Sequence, residues 1–293
     1  MQDISAKLTP KNLRSSTQPQ PTQEIQLIVI DLDGTTVGET NQIQSSVKQA
    51  LLAARDQGVQ VAIATGRMYR SALRFHQDLE LTLPLMAYQG ALIKDPATNS
   101  IHRHLTISRE YVAQLLEVLT QPELQAILSI HLYIDDCLYV REITDETEVY
   151  AARSGIQPIA VGDLQQILDR EPTKLLALSE QIELIDQLFG SLRKRYTPAE
   201  LYLTKSVATF LEATNPLVNK GTAVQYLAEE ILGLQAANVM TIGDNFNDLE
   251  MLQYAGVGVA MGNAPDGVKA IANWIAPTVE EDGVVAAIEQ FVL

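Results

Sequence analysis

The chain carries an apolar run that stops abruptly at two aspartates. Residues 27–36 read LIVIDLDGTT, so an aliphatic, β-branched segment is followed at once by Asp31, Asp33 and Gly34. Such a run is typical of a strand that is buried on both faces of a parallel sheet. Ligands of open α/β sheets bind at the carboxyl ends of these strands, where the two carboxylates would lie. The segment therefore predicts a doubly wound parallel α/β sheet and the edge of it that holds the functional site.

The two aspartates need a counter-charge if they lie together. Packed carboxylates repel each other, so a cation or a shared proton has to accompany them. Mg²⁺ suits the pair, because it takes oxygen ligands and is commonly held by one or two carboxylates together with a substrate phosphate. The alternative is that Asp-Leu-Asp-Gly is a solvated turn, since Asp and Gly favour turns for conformational reasons alone. Further motifs decide between these interpretations.

Other segments also place phosphate-binding or metal-binding residue types directly after a strand or before a helix. A hydroxyl, a free backbone N–H and a helix N-terminus together suit a phosphate, and carboxylates with an amide suit a metal site. In chain order the segments are Val61–Ala64 followed by Thr65-Gly66-Arg67, Asn219-Lys220-Gly221 before a helical pattern, and Val239–Ile242 followed by Gly243-Asp244-Asn245-Phe246-Asn247-Asp248. Each is weak alone, and Lys220 by itself would be interpreted as a surface lysine.

From about residue 25 to its end the sequence resembles the haloacid dehalogenase superfamily, and within it the Cof-type phosphatases with a type IIB cap. The resemblance rests on Asp31-Leu-Asp-Gly-Thr, Ala64-Thr-Gly-Arg67, Asn219-Lys-Gly221, Gly243-Asp-Asn-Phe-Asn-Asp248 and the stretch AGVGVAMGNA that ends at Ala264. Two places depart from the family pattern. Gln89-Gly90 stands where the family usually has Asn-Gly, and the loop Asn215–Val218 is shorter and lacks a glycine that relatives often have.

The resemblance implies a Mg²⁺-dependent phosphatase of small phosphorylated metabolites, such as sugar phosphates. Asp31 would be the nucleophile and would form an aspartyl-phosphate that water then hydrolyses. Asp33 would protonate the leaving oxygen and later activate the water, a role that calls for a raised carboxyl pKa. Asp31, the backbone carbonyl of Asp33 and Asp244 would hold Mg²⁺, with Lys220 as a fixed positive partner.

The same resemblance implies the binding roles around these groups. The residues that would bind phosphoryl oxygens are Leu32, Thr65, Gly66, Lys220 and Asn247. Asp248 would orient the metal site without binding the ion directly. Arg67, next to Thr65-Gly66, would contact the substrate or the cap, and the alternative is that it only forms an ion pair.

Asp33 also separates the chain from other branches of the superfamily. Members that act on carbon–halogen bonds lack an acid at its position, and ion-pumping ATPases carry threonine there, so Asp33 favours a phosphate-ester hydrolase. Two other functions remain open from the sequence. A phosphohexomutase of the same superfamily would return the phosphate to its substrate instead of to water. A non-catalytic phosphometabolite-binding protein would have no need of Asp33.

Composition narrows the partners and the compartment. Lys and Arg number 21 against 36 Asp and Glu, and the resulting formal charge of −15 argues against nucleic acid and anionic membranes as partners. Cys137 is the only cysteine, which excludes an internal disulfide and fits a reducing cytoplasm. No segment approaches the roughly 18 consecutive apolar residues that a membrane span needs.

Length and local pattern predict two folded units and a tail. A chain of 293 residues exceeds the usual size of one domain. Residues 1–24 are rich in Gln, Ser, Thr and Pro and predict a disordered tail. Residues 25–93 and 209–293 would form a Rossmann-like core. In residues 94–208 helix-like and strand-like segments alternate, which fits the inserted α+β cap that the resemblance implies. Such a cap would exclude water and recognise the leaving group.

Overall fold

The structure, a computed structural model, describes residues 24–293. The tail predicted for residues 1–24 lies outside this range apart from Glu24. Within the described range, no helix is both long enough and apolar enough to cross a membrane.

Strands and helices alternate along most of the chain and are numbered here in chain order. The strands are β1 (Leu27–Ile30), β2 (Gln60–Ile63), β3 (Leu85–Ala87), β4 (Leu92–Lys94), β5 (Ile101–His104), β6 (Ser129–Ile134), β7 (Cys137–Val140), β8 (Pro158–Ala160), β9 (Lys174–Leu178), β10 (Tyr202–Thr204), β11 (Phe210–Thr214), β12 (Val239–Gly243), β13 (Val257–Ala260) and β14 (Trp274–Ile275). The α-helices are α1 (Ser45–Asp56), α2 (Tyr69–Asp78), α3 (Arg109–Leu119), α4 (Asp145–Ser154), α5 (Ile182–Arg195), α6 (Lys220–Gln225), α7 (Leu249–Tyr254), α8 (Asp266–Lys269) and α9 (Gly283–Phe291).

Five parallel strands form the central sheet, in the order β14-β13-β12-β1-β2. Every residue of β1 is buried, because the strand is covered on both faces. Ile28 and Ile30 belong to the apolar cluster that includes α1 and α9, whereas Leu27 and Val29 pack with residues of α6. Helices therefore cover both sides of the sheet, and the predicted doubly wound α/β fold is confirmed.

A second sheet has six strands in the order β10-β11-β9-β6-β7-β8. Its pairings are antiparallel except for the parallel pair β7–β8. One face packs against α3 and α5. The other face turns toward the parallel-sheet unit, where Tyr133 of β6 makes an edge-on contact with Tyr88, at 5.6 Å between ring centroids. The sheet includes β11, which lies beyond residue 208, where the sequence predicts the cap to end.

A three-stranded antiparallel sheet, in the order β3-β4-β5, extends from the carboxyl edge of the parallel sheet. The pair β4–β5 is a hairpin around Pro96–Asn99. Strand β3 leads into a tight turn, Tyr88–Gly90, in which Gln89 has a left-handed backbone conformation with φ of +59°. This turn brings Gln89 over the loop that follows β2, since its backbone N–H donates to the carbonyl of Thr65 at 2.9 Å.

Helices α6 and α7 pack closely, and Gly221 permits their approach. A Cβ atom on Gly221 would lie 2.6 Å from the backbone carbonyl of Glu250. The same packing sets Lys220 at the start of α6 beside Asp248 just before α7. Gly190 in α5 is the opposite case, because a Cβ atom there would meet nothing within 4 Å.

We expect Gly221→Ala to lower the free energy of unfolding by about 1–3 kcal/mol, because the added methyl group overpacks the contact between the helices. Gly190→Ala should raise it by about 0.5–1 kcal/mol, because alanine is the better residue inside a helix. Urea denaturation of the two variants measures both changes. Effects of the same sign would contradict the close packing of α6 on α7.

Candidate active site

Three adjacent strands bring polar residues to one edge of the parallel sheet. Asp31 follows β1, Thr65 comes two residues after β2, and Asp244 follows β12, with β1 lying between the other two strands. The backbone N–H of Asp31 donates to the carbonyl of Ile242 at 3.0 Å, so the ladder of the sheet continues to the edge of the site. Because parallel strands end at the same edge, residues from distant parts of the chain meet there.

Lys220 lies at the centre of this edge and is fully buried. Its Nζ donates to Oδ1 of Asp31 at 2.5 Å and to Oδ1 of Asp248 at 2.6 Å. The side chain of Asn219 caps the helix that begins with Lys220 by accepting from the N–H of Thr222 at 2.8 Å. Burial acts to lower the pKa of Lys220, but the charges of Asp248 and Asp31 outweigh it and raise that pKa above its usual value. Lys220 is therefore a permanently charged partner of the aspartates.

Asp248 fixes the loop that follows β12. Its Oδ2 accepts from the backbone N–H groups of Asp244 and Asn245, at 2.8 and 2.9 Å. Its other oxygen binds Lys220. One carboxylate thus sets both the path of the loop and the position of the ammonium group.

The three buried aspartates at this edge form a cluster with excess negative charge. One carboxylate oxygen each from Asp31, Asp244 and Asp248 lies within 4.8 Å of the others. Burial, followed by the charge of Asp248, raises the pKa of Asp244 to about 7. Burial also raises the pKa of Asp31 well above its usual value, despite the opposing charge of Lys220. Three carboxylates face a single ammonium, so the donor set fits a hard divalent cation such as Mg²⁺.

Gly34 allows the turn after β1 to approach Asp244. It has a φ of +81°, and a Cβ atom there would lie 2.3 Å from Oδ2 of Asp244. Thr35 and Asn263 donate hydrogen bonds to the two oxygens of the same carboxylate, at 3.2 and 3.3 Å. Asp244 is thus held from several sides with its oxygens turned toward the turn that carries Asp33.

Asp33 lies outside the aspartate cluster and is paired with Arg67. The guanidinium donates to both carboxylate oxygens, at 2.7 and 2.6 Å, and also to Oδ1 of Asn41 at 2.8 Å. Burial would raise the pKa of Asp33, but the hydrogen bonds and charge of Arg67 outweigh it and lower that pKa. Arg153 of α4 adds a further positive charge at 3.8 Å. In this arrangement Asp33 is ionised, the opposite of the state that an acid needs.

The loop after β2 presents the other predicted phosphate-binding groups. Thr65 is buried, and its Oγ1 accepts from the backbone N–H of Arg67 at 3.1 Å. The carbonyl of Gly66 accepts from Nζ of Lys174, a residue of β9, at 2.9 Å. Leu32 is completely buried and its side chain has no polar atom, so only its backbone N–H could bind a phosphate.

Asn247 lies opposite this loop and is tied to Gln89. Its Nδ2 donates to Oε1 of Gln89 at 3.1 Å, whereas its Oδ1 is buried and has no hydrogen-bond partner among residues 24–293. The structure thus brings the predicted site residues to one edge of the sheet.

Gln89, Lys174 and Glu212 were not among the sequence-predicted site residues. Lys174 and Glu212 are each the only charged residue of an apolar strand, KLLAL and FLEAT, and both are almost completely buried. A single charge in a buried strand was the available signal.

Comparison with known proteins identifies the family of the chain. A family model described as haloacid dehalogenase-like hydrolase matches residues 28–288. The protein named 5-amino-6-(5-phospho-D-ribitylamino)uracil phosphatase YitU of Bacillus subtilis is 31% identical over 271 residues, which cover 90% of this chain and 97% of that protein.

Solved structures share the fold. A haloacid dehalogenase-like hydrolase from Bacteroides thetaiotaomicron matches with a TM-score of 0.80 and 27% identity, over 91% of this chain and 99% of its own. The subclass IIB sugar phosphatase BT4131 has the same fold, with a TM-score of 0.77 and 23% identity, over 91% of this chain and 98% of its own.

We expect Lys220→Met to lower the free energy of unfolding by about 3–5 kcal/mol, because it leaves Asp31 and Asp248 buried without their counter-charge. Denaturation should be followed in EDTA, so that no divalent ion replaces the lost charge. Lys48→Met is the matched control, because Lys48 pairs with Asp78 at the surface. Its effect should stay below about 1 kcal/mol. Equal effects of the two substitutions would contradict the central role of Lys220.

Proposed function

The chain belongs to the family of haloacid dehalogenase-like hydrolases and is a phosphatase of the Cof type, and on this basis we propose that it hydrolyses small phosphorylated metabolites with Mg²⁺ through an aspartyl-phosphate on Asp31. One observation carries the proposal. The carboxylate of Asp31 lies buried at the end of β1, is fixed by Lys220 and adjoins two further carboxylates. This environment suits a nucleophile whose charge has to be balanced before it meets a phosphate dianion.

The reaction divides into two displacements at phosphorus. In the first, a carboxylate oxygen of Asp31 forms a bond to phosphorus while the ester P–O bond breaks, and the leaving oxygen takes a proton from Asp33. In the second, water gives a proton to Asp33 and attacks phosphorus, which releases inorganic phosphate and restores Asp31. Lys220 keeps Asp31 in one orientation throughout. The remaining phosphoryl oxygens would be bound by Leu32, Thr65, Gly66, Lys220 and Asn247.

The metal requirement follows from the charges of the site. Asp31, Asp244 and the backbone carbonyl of Asp33 would hold Mg²⁺, which when bound would offset the negative charge that gathers on the phosphoryl group. Asp248 is bound to Lys220 and to two backbone N–H groups, so its role would be to orient.

The acid role of Asp33 requires Arg67 to change partner. Arg67 lowers the pKa of Asp33, so Asp33 can carry a proton only when the guanidinium withdraws. Nη1 of Arg67 is buried and has no hydrogen-bond partner within residues 24–293, so the side chain retains a donor for another ligand. We therefore infer that Arg67 exchanges Asp33 for a polar group of the substrate. Donation of a proton by Asp33 then depends on the substrate occupying the site.

The substrate class is tested by measuring phosphate release from a panel of esters. The panel should contain sugar phosphates, nucleotides, flavin mononucleotide, pyridoxal phosphate and 5-amino-6-(5-phospho-D-ribitylamino)uracil, the compound in the name of the Bacillus subtilis relative. Release of phosphate from one or more of them supports the proposal. Turnover that depends on a sugar bisphosphate and releases no phosphate would identify a mutase instead. We also propose that the reaction takes place in the cytoplasm.

We expect removal of divalent ions to abolish hydrolysis of p-nitrophenyl phosphate, because the aspartate cluster then lacks its counter-charge. Adding Mg²⁺ back should restore the rate, and Ca²⁺ should restore it less well, since its looser coordination misplaces the phosphoryl group. Initial rates in excess EDTA, with and without each ion, measure this. Full activity in EDTA would rule out the proposed metal requirement.

Substitutions of Asp31 and Asp33 should reduce turnover in different ways. Asp31→Asn removes the nucleophile and should eliminate turnover of every ester together with the phosphoenzyme. Asp33→Asn keeps the nucleophile and removes the proton donor, so it should slow alkyl phosphates far more than aryl phosphates, whose leaving groups need no proton. The ratio of kcat/KM for the two ester classes is the measurement. An equal loss on both classes in Asp33→Asn would refute the acid role.

A further inference from the structure

A continuous chain of hydrogen bonds connects the six-stranded sheet to Asn247 through the side-chain amide of Gln89. On one side, Oε1 of Gln89 accepts from Nδ2 of Asn247 at 3.1 Å. On the other, Nε2 of Gln89 donates to Oε2 of Glu212, a residue of β11, at 3.3 Å. All three side chains are buried. The side chain of Gln89 therefore bridges Asn247 and Glu212.

The carboxylate of Glu212 determines which way both amides point. A carboxylate only accepts hydrogen bonds, so it selects the orientation in which the nitrogen of Gln89 faces it and the oxygen of Gln89 faces Asn247. That oxygen in turn selects the orientation in which Asn247 presents its nitrogen. An amide nitrogen has two N–H groups, and Gln89 takes one of them. The second N–H of Asn247 is then available to a phosphoryl oxygen.

Among residues 24–293, Gln89 is also the only hydrogen-bond partner of the Asn247 side chain. The Oδ1 atom of Asn247 has no hydrogen bond within residues 24–293, so nothing fixes the amide from that end. Gln89 itself is closely packed, because a Cβ atom on Gly66 would lie 2.5 Å from its Nε2. The amide of Gln89 thus lies between two of the groups expected to bind phosphate, Gly66 and Asn247.

The hydrogen-bond chain that starts at Asn247 ends at a buried ion pair between Lys174 and Glu212. Nζ of Lys174 lies 3.5 Å from Oε2 of Glu212 and also donates to the carbonyl of Gly66. It lies over the ring of Tyr133, at 4.9 Å from the ring centroid. Burying two charges costs about as much as their attraction returns, so such a pair contributes little net stability. Lys174 contacts Gly66, and Glu212 contacts Gln89, so the position of the pair points to a role in the site.

We propose that Gln89 is a positioning residue that orients Asn247 for phosphate binding, and that Glu212 acts on Asn247 through Gln89. This proposal rests on the proposed function, because it assigns Asn247 to the phosphoryl group. It places part of the phosphate-binding geometry under the control of the six-stranded sheet. A substrate that displaces Glu212 would loosen Asn247 as well.

The test is a double-mutant cycle with Gln89→Asn and Glu212→Gln, read out as the affinity for inorganic phosphate. Asparagine tolerates the left-handed backbone of position 89, keeps the amide and is one methylene too short to span from Asn247 to Glu212. Calorimetric titration of each protein with phosphate in Mg²⁺ gives Kd. We expect each single variant to raise Kd about tenfold, the scale of one lost hydrogen bond. The double variant should also raise it about tenfold, because both substitutions break the same chain.

Asp135→Asn is the matched control, because Asp135 forms an exposed ion pair with Arg170 on the same sheet and should leave Kd unchanged. Should Glu212→Gln not fold, Ser206→Ala takes its place, since Ser206 donates to the same carboxylate at 2.5 Å. An unchanged Kd in Gln89→Asn, or a roughly hundredfold rise in the double variant, would overturn the proposal. Binding decides it without turnover, so an inactive wild type that binds phosphate with this pattern would count only against the proposed function.

Discussion

One buried ammonium group between two buried carboxylates organises the whole carboxyl edge of the parallel sheet. Lys220 is at the start of α6, Asp31 at the end of β1 and Asp248 just before α7, so the contact joins three parts of the core. Three carboxylates against one ammonium leave the edge short of positive charge, so the cluster could hold a divalent cation. Lys220 thus stabilises the aspartate cluster, and the cluster still has more negative than positive charge.

Asp31 and Asp33 belong to one motif but lie in different electrostatic environments. Asp31 lies in the aspartate cluster, where burial raises its pKa, whereas Asp33, two residues later, faces Arg67, which lowers its pKa. The bend at Gly34 follows directly and permits contact with Asp244. The local sequence is one turn, but its two carboxylates belong to different charge networks. The catalysis proposed for this pair would require the substrate to rearrange the second network.

The sequence predicts those parts of the molecule that local pattern controls. Helices and strands alternate in residues 94–208, as the local sequence pattern predicts. The convergence of Asp31 and Asp244 could be foreseen because parallel strands end at one edge, whereas the place of Lys220 was implied by the family resemblance. The pairing of Gln89 with Glu212 could not, because it depends on how two sheets pack, and neither residue carries that information locally. The helical pattern after Lys220 also conceals a change, since α6 ends at Gln225 and the chain continues as the π-helical segment Tyr226–Ile231.

The central position of β1 has a consequence for how the chain is made. The two neighbours of β1 in the sheet are β2 and β12. Strand β2 emerges from the ribosome soon after β1, but β12 emerges much later. An unpaired apolar strand edge is a template for aggregation, and contacts between distant segments form slowly. Asp31 gains its lysine only after the 189 positions that separate them have been synthesised. An unfinished chain therefore lacks its complete site and exposes an unpaired apolar strand edge, so it is most prone to aggregation before its last third is made.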